Sequence, residues 1–209
     1  MSPAARTPPA AGAAVEGADL GGVDWYAAEL TGVTFRSVSF DDADLTEAVL
    51  TDCVFEECGF GGARLNASTS LRTAFVRCTF RRTSFFGATL EGCKLAGSVF
   101  EATNDFTALT VVGGDWSFVT LRQQDLAGLR LDGLKLTEAD LSGADLSGAS
   151  LVGVQLAHAR LHEIRLTGAD LREADLDGVD LAAIDLTGVR IDPALAIQLA
   201  RARGAIVEW

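Results

Sequence analysis

The stretch Ala139-Asp140-Leu141-Ser142-Gly143-Ala144-Asp145-Leu146-Ser147-Gly148 spells one five-residue unit twice, and Ala169-Asp170-Leu171-Arg172-Glu173-Ala174-Asp175-Leu176-Asp177-Gly178 spells a close variant twice more. Each unit supplies a small residue, an acid, a large apolar residue and two residues that favour turns. An amphipathic helix would place its apolar residues three and four apart, and a plain strand would alternate with no reset every fifth residue. Neither template fits, so the period itself is the signal. Followed toward the N-terminus in steps of five, the large residues run from Phe100 back to Leu20, and sixteen of those seventeen positions are apolar, Ser70 being the exception. The frame slips by one residue within Glu101 to Phe106 and then continues from Phe106 to Ile191 through eighteen apolar positions out of eighteen. Two residues before these anchors lies a smaller set that includes Ala43, Cys53, Cys58, Ala63, Cys78, Ala139 and Ala144.

This pattern, A-(D/N)-L-x-x from about Ala18 to Asp192, resembles the pentapeptide-repeat family. The resemblance implies an all-β fold, a right-handed quadrilateral parallel β-helix in which four units close one square coil. Coils stacked at the ~4.8 Å spacing of paired strands would make a rod roughly 40 Å long. Residues twenty apart then stack, which puts Phe40, Phe60, Phe80 and Phe100 in one internal column and Phe35, Phe55 and Phe75 in a second. The domain reading is a disordered, Ala- and Pro-rich leader over residues 1–17, the β-helix over 18–192, and a capping and dimerisation segment over 193–209.

Composition narrows the function. The 209 residues carry a formal net charge of -12, which repels phosphate backbones and argues against direct nucleic-acid binding and against anionic membranes. Apolar runs last only a few residues, and the leader lacks the apolar core of a secretion signal, so a soluble, cytoplasmic protein is expected. Cys53, Cys58, Cys78 and Cys93 fall at small inward positions and read as space-filling free thiols, although Cys58 and Cys78 would stack within disulfide reach. His158 and His162 would belong to consecutive faces of the coil rather than to one metal site. No phosphate-binding loop and no nucleophile with its base is present, so neither catalysis, nor a cofactor, nor a metal is expected.

Outward residues on one face are unusually acidic. Along the face anchored by Trp25, Leu45 and their successors stand Asp24, Asp44, Glu47, Asp105, Asp125, Asp145 and Asp185 against only Arg64 and Arg165, seven acids less two bases, or about -5. An Asp before each anchor can serve a local backbone amide. A line of carboxylates on a narrow rod can also imitate the field of duplex DNA toward a basic groove. The charge is uneven along the axis, with seven acids and no base over 38–60, then six bases and one acid over 61–100, including a basic belt at Arg77, Arg81 and Arg82.

After Ile191 the pattern changes. Asp192 can cap a helix, Pro193 suits its first turn, and the helix should end at Gly204. Leu195, Ile197, Leu199, Ile206, Val207 and Trp209 offer more apolar surface than a cap needs and are expected to form a homodimer interface. Leu186-Thr187-Gly188-Val189-Arg190-Ile191-Asp192, Ala196, Leu199 and Gly204-Ala205-Ile206-Val207 are similar to the ending of the gyrase-interacting branch of the family, the MfpA and Qnr type. That likeness implies a DNA mimic that dimerises through its C-terminal helix, binds DNA gyrase and modulates its activity or its sensitivity to quinolones. It makes Asp24, Asp44, Asp105, Asp125, Asp145 and Asp185 the candidate partner-binding residues. The alternative is a non-catalytic scaffold for another protein.

Overall fold

The structure, a computed structural model, describes residues 7–102 and 104–208. Its unit is a corner. The anchor carbonyl accepts from the amide three residues on, as Leu45 O does from Ala48 N (3.1 Å) and Leu141 O from Ala144 N (3.0 Å). The third residue of that turn takes positive φ, 59° at Glu47 and 69° at Gly143, as a type II turn requires. Anchor and small residue both point inward, and the coil then steps to its next wall.

Eleven three-residue strands form, all but the first where a β-branched residue flanks the anchor: β1 (Ala14–Glu16), β2 (Glu29–Thr31), β3 (Thr34–Arg36), β4 (Val49–Thr51), β5 (Val54–Glu56), β6 (Thr69–Leu71), β7 (Ala74–Val76), β8 (Thr79–Arg81), β9 (Thr89–Glu91), β10 (Val99–Glu101) and β11 (Thr110–Val112) among the described residues. They pair in parallel as β1-β3-β5-β7, β10-β8 and β11-β9-β6-β4-β2, with partners twenty residues apart below the slip, such as Phe35 with Phe55. Across the slip the offset becomes twenty-one, as for Val111 with Leu90. One ladder climbs without interruption through Ala14, Thr34, Val54, Ala74, Lys94, Asp115, Lys135, Gln155 and Asp175. The expected right-handed quadrilateral parallel β-helix is the fold that forms.

The core is the stack of anchors. Phe40, Phe60, Phe80 and Phe100 lie ring on ring at 5.1, 5.0 and 4.7 Å, and Phe35, Phe55 and Phe75 at 4.9 and 4.9 Å, with edge contacts between the two columns. Ser70 sits between Leu50 and Leu90, fully buried, and its hydroxyl meets no partner.

The stack opens in two places. Between the walls Asp105–Val112 and Asp125–Asp132 no backbone hydrogen bond forms among the described residues, whereas the other two walls of the same coils stay bonded, Trp116 N to Lys135 O (2.8 Å) and Leu121 N to Asp140 O (2.8 Å). Side-chain volume explains the opening. Leu109 stacks beneath Leu129, and Asn104 beneath Gln124, at inward positions that Ala28, Ala48, Ser68 and Ala88, or Ala43 and Ala63, hold in lower coils. Coils held at strand spacing have no room for two such residues in succession. The amides satisfy each other, Asn104 Nδ2 donating to Gln124 Oε1 at 3.0 Å. A second opening separates the walls of Arg160 and Arg165 from those of Asp180 and Asp185, where Ile164 stacks beneath Ile184 and a 3-10 turn, Leu181–Ala183, replaces the bridge.

The expected leader needs correction. Ala14–Glu16 is strand β1, in register with Thr34–Arg36, and Gly12 N donates to Thr31 O at 3.0 Å, so the β-helix begins inside the segment read as disordered. Glycine and alanine there serve the first corner of the coil. Met1–Arg6 lie outside the described residues.

At the other end, helix α1 (Pro193–Ala202) is capped by Asp192, whose Oδ1 accepts from Leu195 N (2.9 Å) while Oδ2 accepts from Glu173 N (2.6 Å). The one aspartate ties the helix to the coil. Leu195 and Leu199 turn inward and close the last coil. They are therefore unavailable to a second protomer, against the expectation for these two; a solenoid end must bury its last anchors before it can offer any surface.

Candidate partner-binding face

Of the six aspartates expected on one face, Asp24, Asp44 and Asp105 share one bridged ladder and Asp125 and Asp145 a second, the two openings separating these ladders from each other and from Asp185. Parallel bridges join Asp24 to Asp44, Asp44 to Arg64, Arg64 to Ser84, Ser84 to Asp105, and Asp125 to Asp145, then Asp145 to Arg165. Each carboxylate also has a local task. Its Oδ1 accepts from the amide two residues on: Tyr26 for Asp24 (3.1 Å), Thr46 for Asp44 (3.0 Å), Thr107 for Asp105 (3.0 Å), Ala127 for Asp125 (3.1 Å), Ser147 for Asp145 (2.9 Å) and Thr187 for Asp185 (2.9 Å). This Asx-type bond orders the first turn residue, so the position before the anchor is acidic for a folding reason at all six sites.

The second carboxylate oxygen separates the six. Asp44 Oδ2 takes Arg64 at 2.6 Å and Asp145 Oδ2 takes Arg165 at 2.7 Å, and both aspartates are half-buried beneath those guanidinium groups. Asp24, Asp105, Asp125 and Asp185 stay exposed and make no ion pair among the described residues. The outward field is thus carried by four carboxylates, with Arg64 and Arg165 interrupting the line. Partial burial disfavours the charge on Asp44, but the Arg64 and Thr46 hydrogen bonds outweigh it and hold the carboxyl below its ordinary range. Hydrogen bonds to Ser147, opposed by burial and joined by Arg165, do the same for Asp145. The Thr107 amide lowers Asp105, and Thr187 lowers Asp185. All four are anions at neutral pH.

Pairing by one coil step is the rule elsewhere too. Arg72 reaches Asp52 (2.7 Å), Arg77 reaches Glu57 (3.1 Å) and Glu56, Arg36 reaches Glu56 (3.1 Å), and Lys135 reaches Asp115 (3.3 Å). Asp140 and Asp170 each gather two arginines, and the bonds from Arg172, reinforced by Arg190, pull Asp170 down to about 2. Most of these pairs are visible in the sequence as opposite charges twenty apart, a signal that a face-by-face charge count passes over, whereas Arg172 with Asp170 is two apart and Arg122 with Asp140 eighteen. In the basic belt Arg77 is neutralised in this way, while Arg81 and Arg82 make no ion pair among the described residues. They border an open notch of about 400 Å³ whose other rim is Asp41 and Asp42, with Gly61 between.

The remaining candidates resolve as packing. All four cysteines are buried free thiols, and burial pushes Cys93 up to about 11. Hydrogen bonding with the Cys58 thiol, together with burial, pushes Cys78 up as well. His158 lies over Gly178, where a Cβ would overlap its imidazole and where φ is +69°. Of the apolar tail, Ile206 is 88% exposed and Ile197 and Val207 are half-buried, whereas Trp209 lies outside the described residues. No described helix is long and apolar enough to cross a membrane.

The comparisons with known proteins agree with this geometry. The profile described as pentapeptide repeats matches residues 11–46, 35–69, 117–151 and 149–188, eight copies in all. Among solved structures the chain is similar to full-length QnrB1, described as a plasmid-mediated fluoroquinolone resistance protein, at 20% identity and a TM-score of 0.70, covering 93% of this chain and 99% of that one. It is also similar to HetL, a pentapeptide repeat protein involved in heterocyst differentiation regulation in the cyanobacterium Nostoc, at 22% identity and a TM-score of 0.46, covering 87% and 86%. No curated protein sequence matches the chain. With more than half its length matched by the repeat profile, and the repeats closed into stacked square coils, the chain belongs to the pentapeptide-repeat family.

Proposed function

We propose that the protein is a cytoplasmic, non-catalytic DNA mimic that binds DNA gyrase and modulates its activity or its response to quinolone-like inhibitors. The observation that carries this reading is the set of outward carboxylates on this face, above all the exposed Asp24, Asp105, Asp125 and Asp185. The likeness in fold to a fluoroquinolone resistance protein supports the choice of partner. Two copies join end to end through the exposed Ile206 and the half-buried Ile197 and Val207 around the capping helix, with Leu195 and Leu199 supporting them from within.

The experiment is gyrase supercoiling and gyrase association with and without a quinolone, using the parent and a variant combining Asp105→Asn, Asp125→Asn and Asp145→Asn. An asparagine Oδ1 still accepts the local amide, so the fold is kept while charge is removed. Association should weaken as salt rises, because the screening length shrinks to about 8 Å at physiological ionic strength, and it should weaken in the triple variant. Arg81→Gln with Arg82→Gln is the control that should leave it unchanged or stronger. A folded triple variant that binds gyrase as tightly as the parent at every salt concentration removes the mimic. The arginines that cover Asp44 and Asp145 favour a second reading, a scaffold for a different protein, and an absence of any effect on gyrase selects it.

A further inference from the structure

We propose that the opening between the Asp105–Val112 wall and the Asp125–Asp132 wall accepts an extended peptide segment, alternating apolar and basic side chains, that bonds there as an added strand. In the closed parts of the stack the anchor amide donates to the coil above and the residue before it donates to the coil below, as Leu126 N does to Asp145 O (2.8 Å) and Asp145 N to Gln124 O (2.9 Å). At the opening these same groups are left over on both edges. The amides of Phe106, Ala108 and Val111 face one way and the carbonyls of Asp125, Ala127 and Arg130 the other, with no inter-coil partner among the described residues. Such groups are paired in nearly every folded protein, and a row of them with strand geometry is the template that peptide-binding sheets use.

The space between the edges is a cavity of about 500 Å³. Its inner side is Phe106 and Leu129, both buried, and its rim carries Asp105 and Asp125, both exposed and without an ion pair. A strand sends successive side chains to opposite faces. An inserted segment would therefore place apolar residues on Phe106 and Leu129 and basic residues beside the two carboxylates. The opening at Arg160 and Asp180 is the internal comparison: its rim sets Arg160 and His162 beside the single carboxylate of Asp180, where the first opening has two carboxylates and no base, so it suits the same segment less well. The inference concerns the chemistry of the segment and is independent of the gyrase reading.

The test uses the full chain and a fluorescent octapeptide alternating valine and lysine, followed by anisotropy and by amide hydrogen exchange. Expected are saturable binding, slowed exchange at Phe106, Ala108 and Val111, and a dissociation constant raised about tenfold at low salt by Asp105→Asn with Asp125→Asn. The same octapeptide methylated on every second backbone nitrogen keeps its charge and apolar surface but loses the strand bonds, and should not bind. Equal binding of the methylated peptide, protection of amides elsewhere, or no binding up to 1 mM peptide each overturns the proposal.

Discussion

Replacing Phe60 with Ala probes the aromatic stack at its midpoint. The ring is fully buried, sandwiched by Phe40 at 5.1 Å and Phe80 at 5.0 Å, and met edge-on by Phe55 at 5.5 Å and Phe75 at 5.8 Å. Loss of buried apolar surface alone costs about 2–3 kcal/mol. The cavity adds to this, because the neighbouring rings hang on coils whose spacing is fixed by Phe60 N to Thr79 O (2.8 Å) and Gly59 N to Val38 O (3.1 Å), so the walls cannot close on the gap. The total should fall near the upper end of the ~3–5 kcal/mol typical of buried phenylalanine. Urea unfolding followed by far-ultraviolet circular dichroism measures it, with an unchanged slope showing that the same structure unfolds. A cost below about 1 kcal/mol would mean that the stacked columns do not hold the coil together.

Other outcomes follow from single contacts. Ser70→Ala removes a buried hydroxyl with no partner and should stabilise the protein by roughly 1 kcal/mol in the same assay. Gly178→Ala should cost about 2 kcal/mol, since positive φ and the His158 ring both oppose a Cβ, and His158→Ala in the same chain should restore the part owed to the ring. Asp44, Asp145 and Asp170 titrate below their unfolded values, Asp170 at about 2; depressed carboxylates contribute stability that is complete above their unfolded pKa and is lost as pH falls through the folded one. Thermal unfolding should therefore be level at neutral pH and decline between about pH 4 and pH 2, and Arg172→Gln should move the decline upward.

How much of this the sequence shows depends on which interaction decides the feature. The coil, its slip and its aromatic columns are legible because anchors five apart and stacks twenty apart repeat the same choice many times, and one exception such as Ser70 stands out against the rest. The start at Ala14 was hidden because Ala10 to Gly17 resembles flexible composition, while its pairing to Thr34–Arg36 is set by backbone bonds that any residue can make. On the acidic face the column is legible, but the division between Asp145 beneath Arg165 and Asp125 in water comes from charge one coil away, which reading along the chain does not reveal. Leu195 and Leu199 look like any exposed apolar helix face until Asp192 fixes the angle at which the helix meets the coil.

The opening above Phe106 also divides the molecule energetically. In a linear stack each coil contacts only its neighbours, and total stability is the sum of intrinsic and interface contributions. Below the opening the interfaces carry stacked phenylalanine and bonds on every wall; above it they carry leucine on alanine; across it only the walls of Asp115 and Thr120 are bonded to the next coil. That interface is the weak joint between two bonded blocks, the second opening lying near the C-terminal end of the upper one. Under pulling force or mild denaturant the chain should part there first, into an aromatic block and an aliphatic block that lose structure at different denaturant concentrations.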